Sequence, residues 1–201
     1  MDRFRNYKDL CRHAAEGRDF IIEMRRGGNA LAVMAPHGGG IEPGTDTLAG
    51  AIAGSEHGYY AFKGVRAGNN ADLHIASERF DEPRALALAR QVRTVVTIHG
   101  CRGRRAEVFI GGLAEGLKIV VLETLISAGF KAGGAPDPSL GGTHRSNLCN
   151  RGQSGKGVQL ELSEQLRHRL MDGGRHLSPG SDQFRSFVAA VRMALAQSIK
   201  A

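Results

Sequence analysis

Residues 29–54 read NALAVMAPHGGGIEPGTDTLAGAIAG. The apolar run ALAVMA predicts a strand ending at His37, and TDTLAGAIAG predicts a helix with Thr45 or Asp46 near its cap. Between them, His37 and Glu42 flank three consecutive glycines, so this loop joins a strand to a helix and carries an imidazole and a carboxylate.

The same alternation extends in both directions. Upstream, Tyr7, Leu10, Cys11 and Ala14 follow helical spacing, and DFIIEM, separated from ALAVMA by RRGGN, predicts a β-hairpin with it. Downstream, short strands are expected in GYYAFKG and ADLHIAS. Asp81 and Pro83 introduce the helix PRALALARQV, which feeds the strand TVVTIH ending at His99. AEVFIGG is a further strand, and Leu113, Leu117, Val120, Val121 and Leu125 share one helical face. GFKAGGAPDPSLGGTHRSN reads as loop, GVQLELS as strand, and Phe184, Phe187, Val188, Val191 and Leu195 mark a closing helix. Strands alternating with helices predict a three-layer α/β/α domain around a mixed sheet, with residues 1–201 as one unit. The glycine-rich stretch from Gly129 to Gly157 is expected to form long loops of the site.

Composition narrows the function. With 41% apolar residues in 201, the chain can bury a sizeable core, and its 28 glycines cluster between apolar segments as turns. Three widely spaced cysteines, Cys11, Cys101 and Cys149, contain no CxxC pair, which argues for a reducing compartment. The charged amino-terminal stretch and the lack of a long apolar run predict a soluble protein made in the cytoplasm, its release, if any, following lysis, and a monomer is expected. A formal charge of +7 implies a polyanionic partner. Specific nucleic-acid binding is not expected, because aromatic residues are only 5%, tryptophan is absent, and basic residues are scattered except in CRGRRAE.

Zinc catalysis needs three protein ligands on rigid supports and an open position for water. His37, Glu42 and His99 meet that need at the ends of two strands, each histidine followed by glycine that would leave room for substrate. Taken singly, His37 reads as a surface or capping histidine and Glu42 as a solvated loop acid; their coincidence with His99 at another strand end is what raises the metal reading. Glu161 alternates with Leu160 and Leu162, which turns it away from their face and makes it the candidate general base. HRSNLCNRG supplies Arg145, Asn147, Asn150 and Arg151, suited either to holding a substrate carboxylate or to shaping a loop. His57 and His74 read as hydrogen-bonded structural histidines, and Cys101 lacks the partner a nucleophile requires.

Together, APHGGGIEPGT, SEHGYYAFKG, LHIAS, TVVTIHG, NLCNRG and GVQLELS resemble the phage-type poly-γ-glutamate hydrolases, over about residues 18 to 195. That family is a zinc peptidase group similar in fold to the zinc carboxypeptidases. The resemblance implies His37, Glu42 and His99 as Zn2+ ligands, Glu161 as general acid/base, and Arg151 as a contact for substrate carboxylate. It implies a polyanionic γ-glutamyl peptide as substrate. Two departures limit the wider comparison: four residues separate the first two ligands, a wider gap than in the carboxypeptidase plan, and the asparagine–arginine pair follows the third ligand. Smaller acidic amides are the alternative substrates, and a basic phage-related nucleic-acid-associated protein is the alternative class.

Overall fold

A computed structural model of the chain describes residues 2–171 and 181–200. In chain order the elements are α1 (Tyr7–Leu10), β1 (Phe20–Arg25), β2 (Gly28–Gly39), α2 (Thr45–Ala53), β3 (His57–Gly64), α3 (Pro83–Gln91) and β4 (Thr94–Cys101). They continue as β5 (Glu107–Gly112), α4 (Glu115–Ser127), β6 (Lys131–Gly134), β7 (Val158–Ser163), α5 (Glu164–Leu170) and α6 (Asp182–Lys200). The strands form one seven-stranded mixed sheet in the order β1-β3-β2-β4-β7-β5-β6. β3, β2, β4 and β7 are mutually parallel, and β1 and β5 run antiparallel to their neighbours β3 and β7.

Both faces of the sheet are covered, as the three-layer expectation requires. From β2, Leu31, Val33 and Ala35 enter a core with Leu48 and Ile52 of α2 and Phe187 and Leu195 of α6. Ala32 and Met34 enter the opposite core with Leu10, Phe20, Phe62, Phe80 and Leu88. A strand that feeds two cores is covered on both faces, as strands of a parallel sheet commonly are, and β2 is also paired on both edges.

The observed pairing overturns the expected hairpin. β1 pairs with β3, Phe20 opposite Gly64, whereas β2 takes β3 and β4 as parallel partners. β1 becomes progressively exposed toward Arg25, which suits it to the edge position. ADLHIAS is not a strand either. Asn69 adopts a left-handed φ of 57° and the Asn70 side chain bonds both the N–H and the C=O of Arg66, so a 3₁₀ turn at Asn70–Leu73 wins over the apolar alternation. Conversely, the expected loop after α4 contains β6, held to β5 by backbone pairing that its glycines do not announce.

The helix starts are set by local bonds, and the one at α2 begins at Thr45 as expected. Glu82, not Asp81, caps α3, its carboxylate accepting the Ala85 N–H at 2.8 Å, while Asp81 accepts the Tyr7 N–H at 2.7 Å and ties α1 to α3. Gly44, with φ 93°, precedes α2, and the Thr45 hydroxyl donates back to the Glu42 carbonyl at 2.9 Å.

Candidate metal centre

The site forms at the carboxyl ends of β2, β4 and β7. Strict alternation after Leu31, Val33 and Ala35 would send His37 into the α2/α6 core. The β2–β3 register slips between Ala35 and Gly38, which lie opposite Ala61 and Lys63, so β2 carries one extra residue there. This bulge turns His37 to the other face, against Ile75 and Phe80. On β4, His99 keeps the parity of Val95 and Thr97 and reaches the same face. On β7, Leu160 and Leu162 enter one core while Glu161 points oppositely, as its alternation predicts, in register with His99.

Glycine has a tighter role here than leaving room for substrate. A Cβ on Gly38 would lie 2.7 Å from the Asp46 Cβ, and one on Gly40 would lie 2.5 Å from the Asn70 amide. Gly39 has φ 62°, and its added Cβ would strike the Gly64 carbonyl. The sharp turn is therefore real, but the space beside it belongs to α2 and the loop after β3. The turn closes with the Glu42 N–H donating to the His37 carbonyl at 2.8 Å, which returns the carboxylate toward the imidazole.

His37 Nδ1 lies 3.1 Å from Glu42 Oε1 and 3.2 Å from His99 Nδ1, and His99 Nδ1 lies 3.7 Å from Glu42 Oε2. His37 and His99 are almost fully buried. The Ile75 carbonyl, 2.8 Å from His37 Nε2, requires the neutral ring's hydrogen on that nitrogen and leaves a lone pair on Nδ1. That lone pair faces a carboxylate oxygen, an arrangement of two acceptors that calls for a cation between them. Two ligand atoms on a tetrahedral zinc lie about 3.3–3.4 Å apart, close to these separations. Two imidazole nitrogens and a carboxylate oxygen, all within 4.8 Å of one another, thus fit a zinc-type ion. Ser77 Oγ contacts His99 Nε2 at 3.3 Å, and the Gly100 N–H donates to Glu42 Oε2 at 2.9 Å, so each ligand is also held from behind.

Electrostatics separate the two glutamates. Burial disfavours ionisation of Glu42, but positive charge at the His37 and His99 rings, where protons stand in for the cation the neutral rings call for, outweighs it and holds this carboxyl well below its usual range. Glu161, only 6% exposed, is pushed up to about 7 by burial, with Glu42 adding to the rise and His99, His37 and Arg167 opposing it. Gln159 Nε2 donates to Glu161 Oε1 at 2.9 Å, and Asn147 Nδ2 donates to Gln159 Oε1 at 2.9 Å. The Asn147 contact fixes which end of the Gln159 amide faces Glu161. Burial raises the Cys101 thiol to about 11, so it stays protonated beside the site.

A cavity of about 540 Å³ opens over these groups, walled also by His74, Ser77, Arg102, Asn147 and Gln159. Of the residues expected to hold substrate, only Asn147 lies on this wall. Asn150 is spent on its own loop, accepting the Leu113 and Gly157 N–H groups and donating to the Gly142 and His144 carbonyls. Arg151 Nε donates to the Ser146 carbonyl, and Arg145 is exposed away from the wall. His74 is a hydrogen-bonded histidine as expected, its Nδ1 2.8 Å from Asp2, and its ring lies against His37 with centroids 3.9 Å apart and planes tilted by 32°. Gln159 escaped notice, although its two-residue spacing from Glu161 in an apolar strand signals a shared face. Ser77 carries no sequence signal.

Fold and site together define the class: a mixed α/β enzyme with a metal-type centre at the carboxyl ends of its parallel strands. The model of the poly-gamma-glutamate hydrolase family matches residues 4–190, and the chain belongs to this family of hydrolases. The match begins and ends a little earlier than the residue motifs indicated. A solved bacteriophage poly-gamma-glutamate hydrolase superposes with a TM-score of 0.95 at 29% identity, covering 100% of this chain and 99% of that one. A zinc-free form of YndL gives 0.90 at 28% identity, covering 98% and 99% respectively. The UPF0714 protein YmaC of Bacillus subtilis (strain 168) is 30% identical over 196 residues, 95% of this chain and 83% of that protein.

Proposed function

We propose that residues 1–201 act as one zinc-dependent hydrolase unit that cleaves the γ-glutamyl amide bonds of poly-γ-glutamate. The observation that carries this reading is the convergence of His37 Nδ1, His99 Nδ1 and the Glu42 carboxylate beside the buried Glu161. The family match and the zinc-free designation of the related YndL structure support both the substrate and the metal.

His37, Glu42 and His99 would hold the zinc. Bound there, zinc supplies Lewis acidity toward the amide carbonyl and lowers the pKa of water. Glu161 takes the proton of the attacking water and returns it to the departing amine nitrogen. Its Oε1 is occupied by Gln159, which leaves Oε2 for the proton. Asn147 and Gln159 are positioning residues, since they orient Glu161 and contact no reacting atom.

The test is incubation of zinc-reconstituted protein with poly-γ-glutamate, followed by size analysis of the products. Shortening by the wild type and its loss in Glu161→Gln are expected. Intact polymer after treatment with the loaded wild type would refute the assignment, and undiminished cleavage by the variant would remove Glu161 from the mechanism.

A further inference from the structure

A γ-glutamyl polymer leaves an ionised α-carboxylate on the carbon next to every amide nitrogen. The cavity wall already carries Glu42, Glu78 and Glu161, so a carboxylate arriving beside the scissile bond needs a fixed cation to offset them. Among the described residues, Arg102 is the one lysine or arginine on that wall. It follows His99 by three positions, at the end of β4, so its backbone is tied to the metal ligand's strand.

Many arginines elsewhere are committed to carboxylates: Arg3 to Asp72, Arg66 to Asp19, Arg79 to Asp2 and Arg84 to Glu16. No described carboxylate pairs with Arg102, nor with Arg104 or Arg105 on the same exposed loop. The loop itself is anchored. Ser163 Oγ donates to the Arg105 carbonyl at 2.7 Å, and the Gln165 N–H donates to the Gly103 carbonyl at 3.2 Å. An unpaired guanidinium on an anchored loop can meet a carboxylate through two parallel N–H donors without first giving up another partner.

We infer that Arg102 holds the substrate α-carboxylate next to the scissile bond and selects γ-glutamyl chains over uncharged amides. Arg104 and Arg105 continue the positive potential outward along the same loop, toward the carboxylates of flanking residues. The inference rests on the proposed hydrolase activity and assigns the carboxylate contact to Arg102 in place of Arg151.

The test measures binding of a fluorescent γ-glutamyl oligomer to chelator-treated protein by anisotropy, alongside its analogue with α-carboxamides. Arg102→Ala should weaken binding of the oligomer about tenfold and leave the analogue unaffected. Arg102→Lys should recover part of the affinity, and Arg90→Ala, an exposed arginine outside the cavity, should lose none. On zinc-loaded protein the Arg102→Ala loss should fall on KM more than on kcat. Unchanged oligomer binding in Arg102→Ala, or equal loss for both ligands, would overturn the role of Arg102 while leaving polymer cleavage by the wild type intact. A wild type that neither binds nor cleaves the polymer would overturn the hydrolase reading and this inference together.

Discussion

Glu161→Gln should make the metal-free protein more stable, and only above acidic pH. The folded carboxyl titrates at about 7 against a usual 4.5, because burial penalises its charge. Below about 4.5 the group is protonated whether the chain is folded or not, so it contributes no difference between the two states. As pH rises from there the unfolded chain ionises while the folded chain retains its proton. Folding stability is lost progressively until the pH passes about 7, where the loss is complete. The gap between the two values corresponds to about 3 kcal/mol. Glutamine keeps a carbonyl oxygen for the Gln159 N–H and carries no charge to bury. At pH 8 the chelated variant should therefore exceed the chelated wild type by up to about 3 kcal/mol, roughly 6–12 °C in Tm for a chain of this size. At pH 4 the two should coincide. Urea unfolding or calorimetry at both pH values measures this, with groups remote from Glu161 cancelling because they titrate alike in both proteins, while His99 and Cys101, which feel the Glu161 charge, are part of the difference measured. A difference that is the same at pH 4 and pH 8, or a wild type more stable at pH 8, would refute the buried-charge argument.

Three further outcomes are expected. His37→Ala and His99→Ala should each lose stoichiometric zinc by elemental analysis, and chelation of the wild type should abolish polymer shortening until zinc is restored. Asn147→Ala, which removes the donor to Gln159 Oε1 and leaves the amide held only through its Nε2 bonds to Glu161 and the Leu140 carbonyl, should lower kcat on poly-γ-glutamate about threefold with little change in KM; an equal loss in KM would indicate substrate contact instead. Gly39→Ala should cost at least about 1–2 kcal/mol in urea unfolding, from its left-handed φ alone, with the collision against Gly64 adding to it.

Much of the site was legible because its chemistry sits at the ends of strongly patterned strands. His37 closes the strand ALAVMAPH, His99 follows TVVTI, and Glu161 alternates with leucines, so each could be placed at a strand end or on a strand, although the face that His37 takes depends on the bulge against β3. The substrate contacts were less legible. Asn150 and Arg151 belong to residue types that serve loops and ligands equally well, and their hydrogen bonds to Gly142, His144 and Ser146 form only once the loop has folded. Asn69 and Asn70 likewise turned an apparently alternating strand into a 3₁₀ turn through local bonds that outweigh hydropathy.

By itself the amino-acid sequence determined the succession of most strands and helices and the α/β class, which follow from local periodicity, and it offered His37, Glu42, His99 and Glu161 as candidates that the family resemblance joined into one site. Tertiary structure alone decided that β1 pairs with β3, that β7 lies between β4 and β5, and that a bulge turns His37 toward His99. Strand partners and register depend on contacts between residues far apart in the chain, and a single inserted residue reverses the face a side chain occupies.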